Sequence, residues 1–277
     1  MFNTKSGRFT ILFICILLAI STYLGLEKAP DAAVTVFLAP EILFMLGSFP
    51  VTNTFFWEII LSLIIMITAI RIRYTLKQQP GTFQNIVELL IEGGSNFVDT
   101  ITNDKEKTKK IFPLVFTMFL FILITNLFGF LPGAAAVNYD DVTLFRSVMA
   151  DYSFVLMMTL VIIIIAHIVA VVTNGPFGYI KKFINFSSPL NFALGIMEII
   201  SEFAKIFSLS FRLFGNIFAG EVLAAVMLFL MPYFLPLPFI FLGLLSSMIQ
   251  AFVFSLLATI FITMASEKAS SEDLVLT

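Results

Sequence analysis

The sequence predicts an all-α polytopic membrane protein with about six hydrophobic helices. One further amphipathic helix lies on the cytoplasmic interface. Three observations predict this fold. Hydrophobic residues fill 59% of the 277 positions and charged residues only 12%, against roughly 45–50% and about 25% in soluble domains. Phe alone contributes 34 residues, so much of the surface faces something other than water. Several windows also carry the roughly 20 apolar residues that a helix needs to cross a bilayer core of about 30 Å.

The same composition excludes several functions. A net charge of −2 gives no reason to expect a nucleic-acid partner. The single cysteine, Cys15, has no internal disulfide partner and sits in an apolar run as a small hydrophobe. One histidine and one cysteine are too few for an ordinary Cys/His zinc site, so no metal is expected. No GxxxxGK[ST] run cradles a nucleotide, and no other cofactor site is evident.

The first apolar window, from about Phe9 to Leu26, follows Lys5 and Arg8. No clean small-x-small site follows it, so a retained helix is preferred to a signal peptide. This hydrophobic segment and its outer loop take up residues 1–37. The second window runs from about Phe55 to Ile70 and ends in Arg71, Arg73 and Lys77. Thr82 to Thr100 is not apolar enough to span. There Phe83, Ile86, Val87, Leu90, Phe97 and Val98 share a broad face, which predicts an interfacial helix.

The third window, Ile111 to Leu131, is entered from Lys105, Lys107, Lys109 and Lys110, and the fourth runs from about Asp151 to Val172. Pro189 to Met231 then reads as helix with no proline after its start. At 1.5 Å per residue it is on the order of 60 Å long, twice the bilayer core. It must therefore tilt steeply, lie partly along the membrane or break. The last window is Pro238 to Ala265. Placing Lys5/Arg8, Arg71–Lys77, Lys105–Lys110 and Lys181/Lys182 inside is consistent throughout. Both termini are then cytoplasmic if the first helix is retained, and the loops at Asp31, Asp140 and Pro232 are outside.

Ionisable residues within spans are expensive and mark function by default. At about 100° per residue, Glu198, Glu202, Lys205, Arg212 and Asn216 share one stripe of the long helix. Glu221, nine residues beyond Arg212, points about 180° away. Arginine keeps its proton and so attracts a carboxylate and repels a cation, whereas a glutamate can pass a proton on. The bland alternative is that Arg212 and Glu221 compensate other charges or snorkel. Glu198, Glu202 and Lys205 equally suit a solvated face. In the last window Gln250 suits an interhelical hydrogen bond, with Gly243 on the same face allowing close approach. His167 reads as a hydrogen-bonded packing residue, with a relay as the alternative. Asp151 reads equally as a helix N-cap or as a carboxylate receiving protons.

The run Ser208-Leu-Ser-Phe-Arg212-Leu-Phe-Gly-Asn216-Ile-Phe-Ala-Gly-Glu221 resembles the signature of subunit a of F-type ATP synthases, S-L-x-x-R-L-F-G-N-x-x-A-G-E, at every fixed position. Pro40-Glu-Ile-Leu-Phe, Phe49-Pro-Val-Thr-Asn-Thr54, Phe83-Gln84 with Glu88, Phe112-Pro113, Asn126-Leu-Phe-Gly129 with Pro132, and Ala265-Ser-Glu267 resemble the same family. The resemblance covers about residues 38 to 267, which it implies form one membrane domain, with 268–277 a polar tail.

It implies a non-catalytic stator in a bacterial plasma membrane that couples proton flow to ATP synthesis, with the last two long segments forming a long, steeply tilted helical hairpin. Its partners would be a rotating ring of c subunits, peripheral-stalk b subunits and the bilayer. Arg212 matches the stator arginine that faces the ring, and Asn216 the motif asparagine beside it. Glu221 and Gln250 match the half-channel open to the outside, and Asp151 a carboxylate on its uptake side. Glu198 and Ser208 match positions towards the cytoplasmic half-channel. The resemblance leaves H⁺ and Na⁺ both open as the carried ion, because that selectivity sits mainly in the ring. Gly243 departs from members that carry a histidine or other polar residue facing the motif glutamate, and Phe261 stands near a frequent tyrosine. Two other classes explain intramembrane Arg and Glu: a self-contained secondary transporter or channel, which predicts broken helices in two related halves, and a structural anchor, which predicts that both residues tolerate neutral substitution.

Overall fold

The computed structural model describes residues 40–79, 81–129, 138–139, 142–143, 146–183, 188–230 and 236–267. The first hydrophobic segment, the loops at Asp31, Asp140 and Pro232, and the tail after 267 lie outside the described residues.

Six α-helices form the body: α1 (Asn53–Thr75), α2 (Thr82–Thr102), α3 (Lys105–Gly129), α4 (Tyr152–Phe183), α5 (Pro189–Leu230) and α6 (Pro236–Ala265). All but α2 are long and apolar enough to cross a membrane. Two small antiparallel hairpins, β1 (Ile42–Leu46) with β2 (Phe49–Thr52) and β3 (Asn138–Tyr139) with β4 (Val142–Thr143), are additions to the expected helices. Gly47, at φ 66°, takes the left-handed conformation that turns β1 into β2. Thr52 then caps α1, its hydroxyl accepting from the Phe55 amide at 3.3 Å.

Helix α2 is joined to its neighbours by polar clips. Gln84 donates to the Lys77 carbonyl at 3.0 Å and to Glu88 Oε1 at 2.7 Å, which fixes the turn from α1. At the other end Asn103 adopts φ 49° and closes α2 on the Asp99 carbonyl. Asp104 starts α3 by accepting from the Glu106 amide at 2.9 Å. The Thr102 and Thr108 hydroxyls meet at 2.6 Å, and Thr108 donates to Asp99 Oδ1 at 2.9 Å. Of the expected apolar face of α2, Val98 is buried and Phe97 meets Phe252 of α6, while Phe83, Ile86 and Leu90 stay exposed. An amphipathic helix lying on a bilayer keeps such residues for the lipid.

The core lies between α3, α4, α5 and α6, around Ile122, Val155, Ile162, Leu213, Phe254 and Ala258. Helix α6 touches α2, α3, α4 and α5. Its buried face includes Gly243, Ser247, Ala251, Ser255 and Ala258, small residues that let helix backbones approach closely. Ser247 and Thr259 return their hydroxyls to the carbonyls one turn earlier, at 2.7 and 2.8 Å. Most of the remaining surface is apolar, with Ile67 of α1, Val172 of α4 and Phe241 of α6 all exposed. In a membrane these residues face lipid rather than water.

Helix α5 is continuous over 42 residues, so of the three options for its length the break is ruled out. A helix of about 63 Å fits a 30 Å core only by tilting or by leaving it. It runs antiparallel to both neighbours: Tyr152 of α4 stacks on Phe211 while His167 meets Glu202, and Asn216 bonds Ser246 of α6. Helix α4 extends past its expected end and contains a break at Gly175 (φ 75°, ψ 157°), followed by Pro176. Only glycine adopts such dihedrals without large strain.

Candidate functional site

Arg212 lies on an exposed face of α5, flanked one turn earlier by exposed Ser208. Arg212 Nη2 donates to Ser208 Oγ at 3.4 Å. Phe203, Phe207 and Phe211 are exposed on other sides of the same helix, so the strip that bears Arg212 lies in an otherwise apolar stretch. A guanidinium so placed costs at least about 2.5–3.5 kcal/mol at membrane depth. A face of this kind requires a charged or polar partner.

Glu221 points away from that strip, as its helical angle predicts. It is partly buried, accepts from the Ser147 backbone N–H and has the Arg146 guanidinium as its charged neighbour. Arg146 and Ser147 directly precede the 3-10 turn Val148–Ala150, whose side chains are all buried. That turn leads to Asp151, which caps α4 by accepting from the Ser153 amide at 2.9 Å. Its second oxygen accepts from Thr54 of α1 at 3.2 Å. Glu58, one turn further along α1, interacts electrostatically with Asp151. Two carboxylates and the Glu221–Arg146 pair therefore gather at one end of the bundle.

The predicted stripe on α5 divides among different neighbours. Asn216 faces α6, where Ser246 Oγ donates to its Oδ1 at 2.6 Å. Gln250 is buried one turn further along α6, and its Nε2 has no hydrogen-bond partner among the described residues. The expected interhelical bond is thus not made by that amide nitrogen. Asn126 of α3 donates weakly to the Ser247 carbonyl at 3.5 Å, while its Oδ1 is buried without a partner among the described residues. Buried polar atoms of this kind call for hydrogen bonds from water or a ligand.

At the opposite end, Glu202 and Lys205 turn towards α4 rather than towards the Arg212 strip. Lys205 Nζ donates to Glu202 Oε1 at 2.8 Å, and His167 Nε2 lies 4.0 Å from Glu202 Oε2. His167 is hydrogen-bonded, as expected, with Tyr179 Oη 2.7 Å from its Nδ1. Glu198 lines a cavity together with His167, Tyr179, Glu202 and Lys205.

Arg146, Glu58 and Tyr179 escaped the sequence reading. Glu58 carried a signal, since it is a carboxylate inside an apolar helix. Arg146 lies in a connecting segment where helical periodicity assigns no face. Tyr179 reaches His167 only because α4 breaks, and Asn174-Gly175-Pro176 is a turn signal within that window.

A sequence profile described as "ATP synthase A chain" matches residues 54–263. The chain is 37% identical over 195 residues to "ATP synthase subunit a" of Desulfotalea psychrophila, covering 69% of this chain and 74% of that protein. It is 35% identical over 216 residues to the protein of the same name from Geobacter sulfurreducens, covering 77% and 86%. Against that of Geotalea daltonii the figures are 35% over 202 residues, 72% and 81%.

Proposed function

The chain belongs to the ATP synthase A chain family and is a multi-pass membrane protein; on that premise we propose that it is the proton-translocating stator of the membrane sector. It stands against a rotating ring of c subunits and offers two offset half-channels, while peripheral-stalk b subunits hold it in place. It performs no ATP chemistry itself. The membrane is a bacterial plasma membrane, with the Asp151 end of the bundle outside and the Glu202 end inside.

The observation that carries this reading is the exposed cation Arg212 in an apolar stretch of α5, between two polar regions at opposite ends of the bundle. A proton enters past Asp151, Glu221, Gln250 and Asn216 and neutralises a ring carboxylate. That neutral site crosses lipid at low cost, because the charged form bears the desolvation penalty. After nearly a full turn the proton leaves by Ser208 and Glu198. Arg212 holds the ionised ring carboxylate between the two paths and repels a proton crossing directly. The driving energy is about 2.3 kcal/mol per charge per 100 mV, with any pH gradient added.

Gly243 gives Glu221 no histidine to face, so buried Gln250 and Asn126 are the polar groups offered near that path. A secondary transporter would carry paired broken helices in related halves. Among the described helices, an internal non-helical residue is found in α4 at Gly175.

Cysteine cross-linking tests the ring-facing assignment. Gly215→Cys or Ala219→Cys, one and two turns beyond Arg212 on its face, forms a disulfide with cysteines placed along the outer helix of the c subunit in whole-synthase membranes. Cross-linking from Met157→Cys on α4, with none from 215 or 219, would overturn the assignment.

A further inference from the structure

The chain's single histidine sits in the polar cluster at the end of the bundle opposite Asp151. His167 and Tyr179 are twelve residues apart on α4, and a straight helix would separate their backbones by about 18 Å. Their side chains nevertheless meet at 2.7 Å, because the chain breaks at Gly175 and Pro176 and returns. The returning end is then packed closely on α5. A side chain at Gly195 would overlap the Phe183 carbonyl. The break, the bare glycine and the hydrogen bond together hold Tyr179 on the imidazole.

The ring opens onto a cavity of about 130 Å³ lined by Glu198, Glu202, Lys205 and Phe261. Such a space accommodates several waters. The groups facing His167 are Tyr179 from its own helix and Glu198, Glu202 and Lys205 from α5. Helix α6 contributes Phe261, Met264 and Ala265, none of which titrates. Lys205 is itself anchored, with Glu202 at 2.8 Å and the Phe261 ring centroid at 5.6 Å.

We propose that His167 is a proton-exchanging residue of the inner half-channel, oriented by Tyr179 and fed by Glu202. The proposal rests on the half-channel reading above and adds to it a residue outside the 208–221 motif. Imidazole suits the task because it exchanges protons in the physiological pH range. With Nδ1–H donating a hydrogen bond to Tyr179 Oη, whose own O–H donates a hydrogen bond to water, Nε2 is the bare acceptor facing Glu202. A proton on the Glu202 carboxyl passes to Nε2, directly after a small rotation or across one bridging water. This leaves a carboxylate paired with Lys205 and an imidazolium. The imidazolium then releases that proton from Nε2 to water in the cavity and returns to the neutral ring. Tyr179 is a positioning residue, fixing which nitrogen is free.

The test uses inverted vesicles containing the whole synthase, whose bath sets the pH on the inner face. The initial rate of ATP-driven pumping is followed across about pH 5 to 8, with the lumen held constant. In the native complex the rate shows an inflection in this range. His167→Gln lowers the rate several-fold and removes the inflection, and added imidazole buffer restores rate. Tyr179→Phe keeps an inflection but displaces it. A His167→Gln enzyme with native rate and native bath-pH profile overturns the proposal. Where that variant does not assemble, a Tyr179→Phe profile superimposable on the native one does the same. Arg212→Ala is run alongside: if it pumps normally the stator reading itself fails, whereas an inert Arg212→Ala beside a native-like His167→Gln sinks only this inference.

Discussion

Ser246 Oγ donates to Asn216 Oδ1 at 2.6 Å, joining α6 to α5 one turn beyond Arg212. The bond fixes α5 against α6 at the depth where the arginine strip ends. Ser246→Ala leaves the Asn216 oxygen without this donor. Interhelical hydrogen bonds in membrane proteins contribute about 0.6 kcal/mol on average and up to about 1.7. A loss of that size is expected in thermal unfolding of the detergent-solubilised complex, with a larger loss for Asn216→Leu, which also places an apolar chain beside Ser246.

Glu221 and Arg146 are expected to behave as a coupled pair, because each neutralises the other near the buried Ser147 turn. Removing one partner of a buried pair strands a charge, while removing both does not. The double variant Arg146→Gln/Glu221→Gln is therefore destabilised by less than the sum of the two single variants. A double-mutant cycle on thermal stability returns a coupling of about 0.5–3 kcal/mol. Strict additivity contradicts the pairing. Pumping is lost in Glu221→Gln and in the double variant alike, since both lack the titratable carboxyl.

Gly175 at φ 75° and ψ 157° is accessible to glycine and strained for any side chain. Gly175→Ala costs about 1–3 kcal/mol of stability. It also straightens α4 and draws Tyr179 away from His167. Tyrosine fluorescence or cysteine accessibility at position 179 reports the separation. An unchanged environment at 179 contradicts the role given to the break.

The elbow between α2 and α3 rests on Thr108, which donates to Asp99 at 2.9 Å and meets Thr102 at 2.6 Å. Thr108→Val preserves shape and removes the hydroxyl. Leaving such partners unsatisfied costs about 1–3 kcal/mol. Amide hydrogen exchange across 99–105 is expected to accelerate while the α5–α6 contact stays protected.

The helical spans, the excess length of α5 and the opposed placement of Arg212 and Glu221 were legible because helical periodicity and apolar length are local properties of the chain. What was not legible depends on contacts between distant segments. The Ser147 amide reaches Glu221 from a connecting segment, and Thr54 reaches Asp151 across 97 positions. The stripe of Glu202, Lys205, Arg212 and Asn216 was correctly angular, but three different surroundings take its members: the α4 cavity, the exposed strip and α6. The β1–β2 hairpin was passed over because Ile42–Leu46 and Phe49–Thr52 are too short for alternation to show.

The central claim is that Arg212 couples ring movement to proton transfer. Inverted vesicles carrying the whole synthase with Arg212→Ala measure it directly, through ATP-driven acidification of the lumen. The account predicts that acidification is abolished, while the catalytic head, once detached, hydrolyses ATP at the native rate. Native acidification by Arg212→Ala contradicts the account.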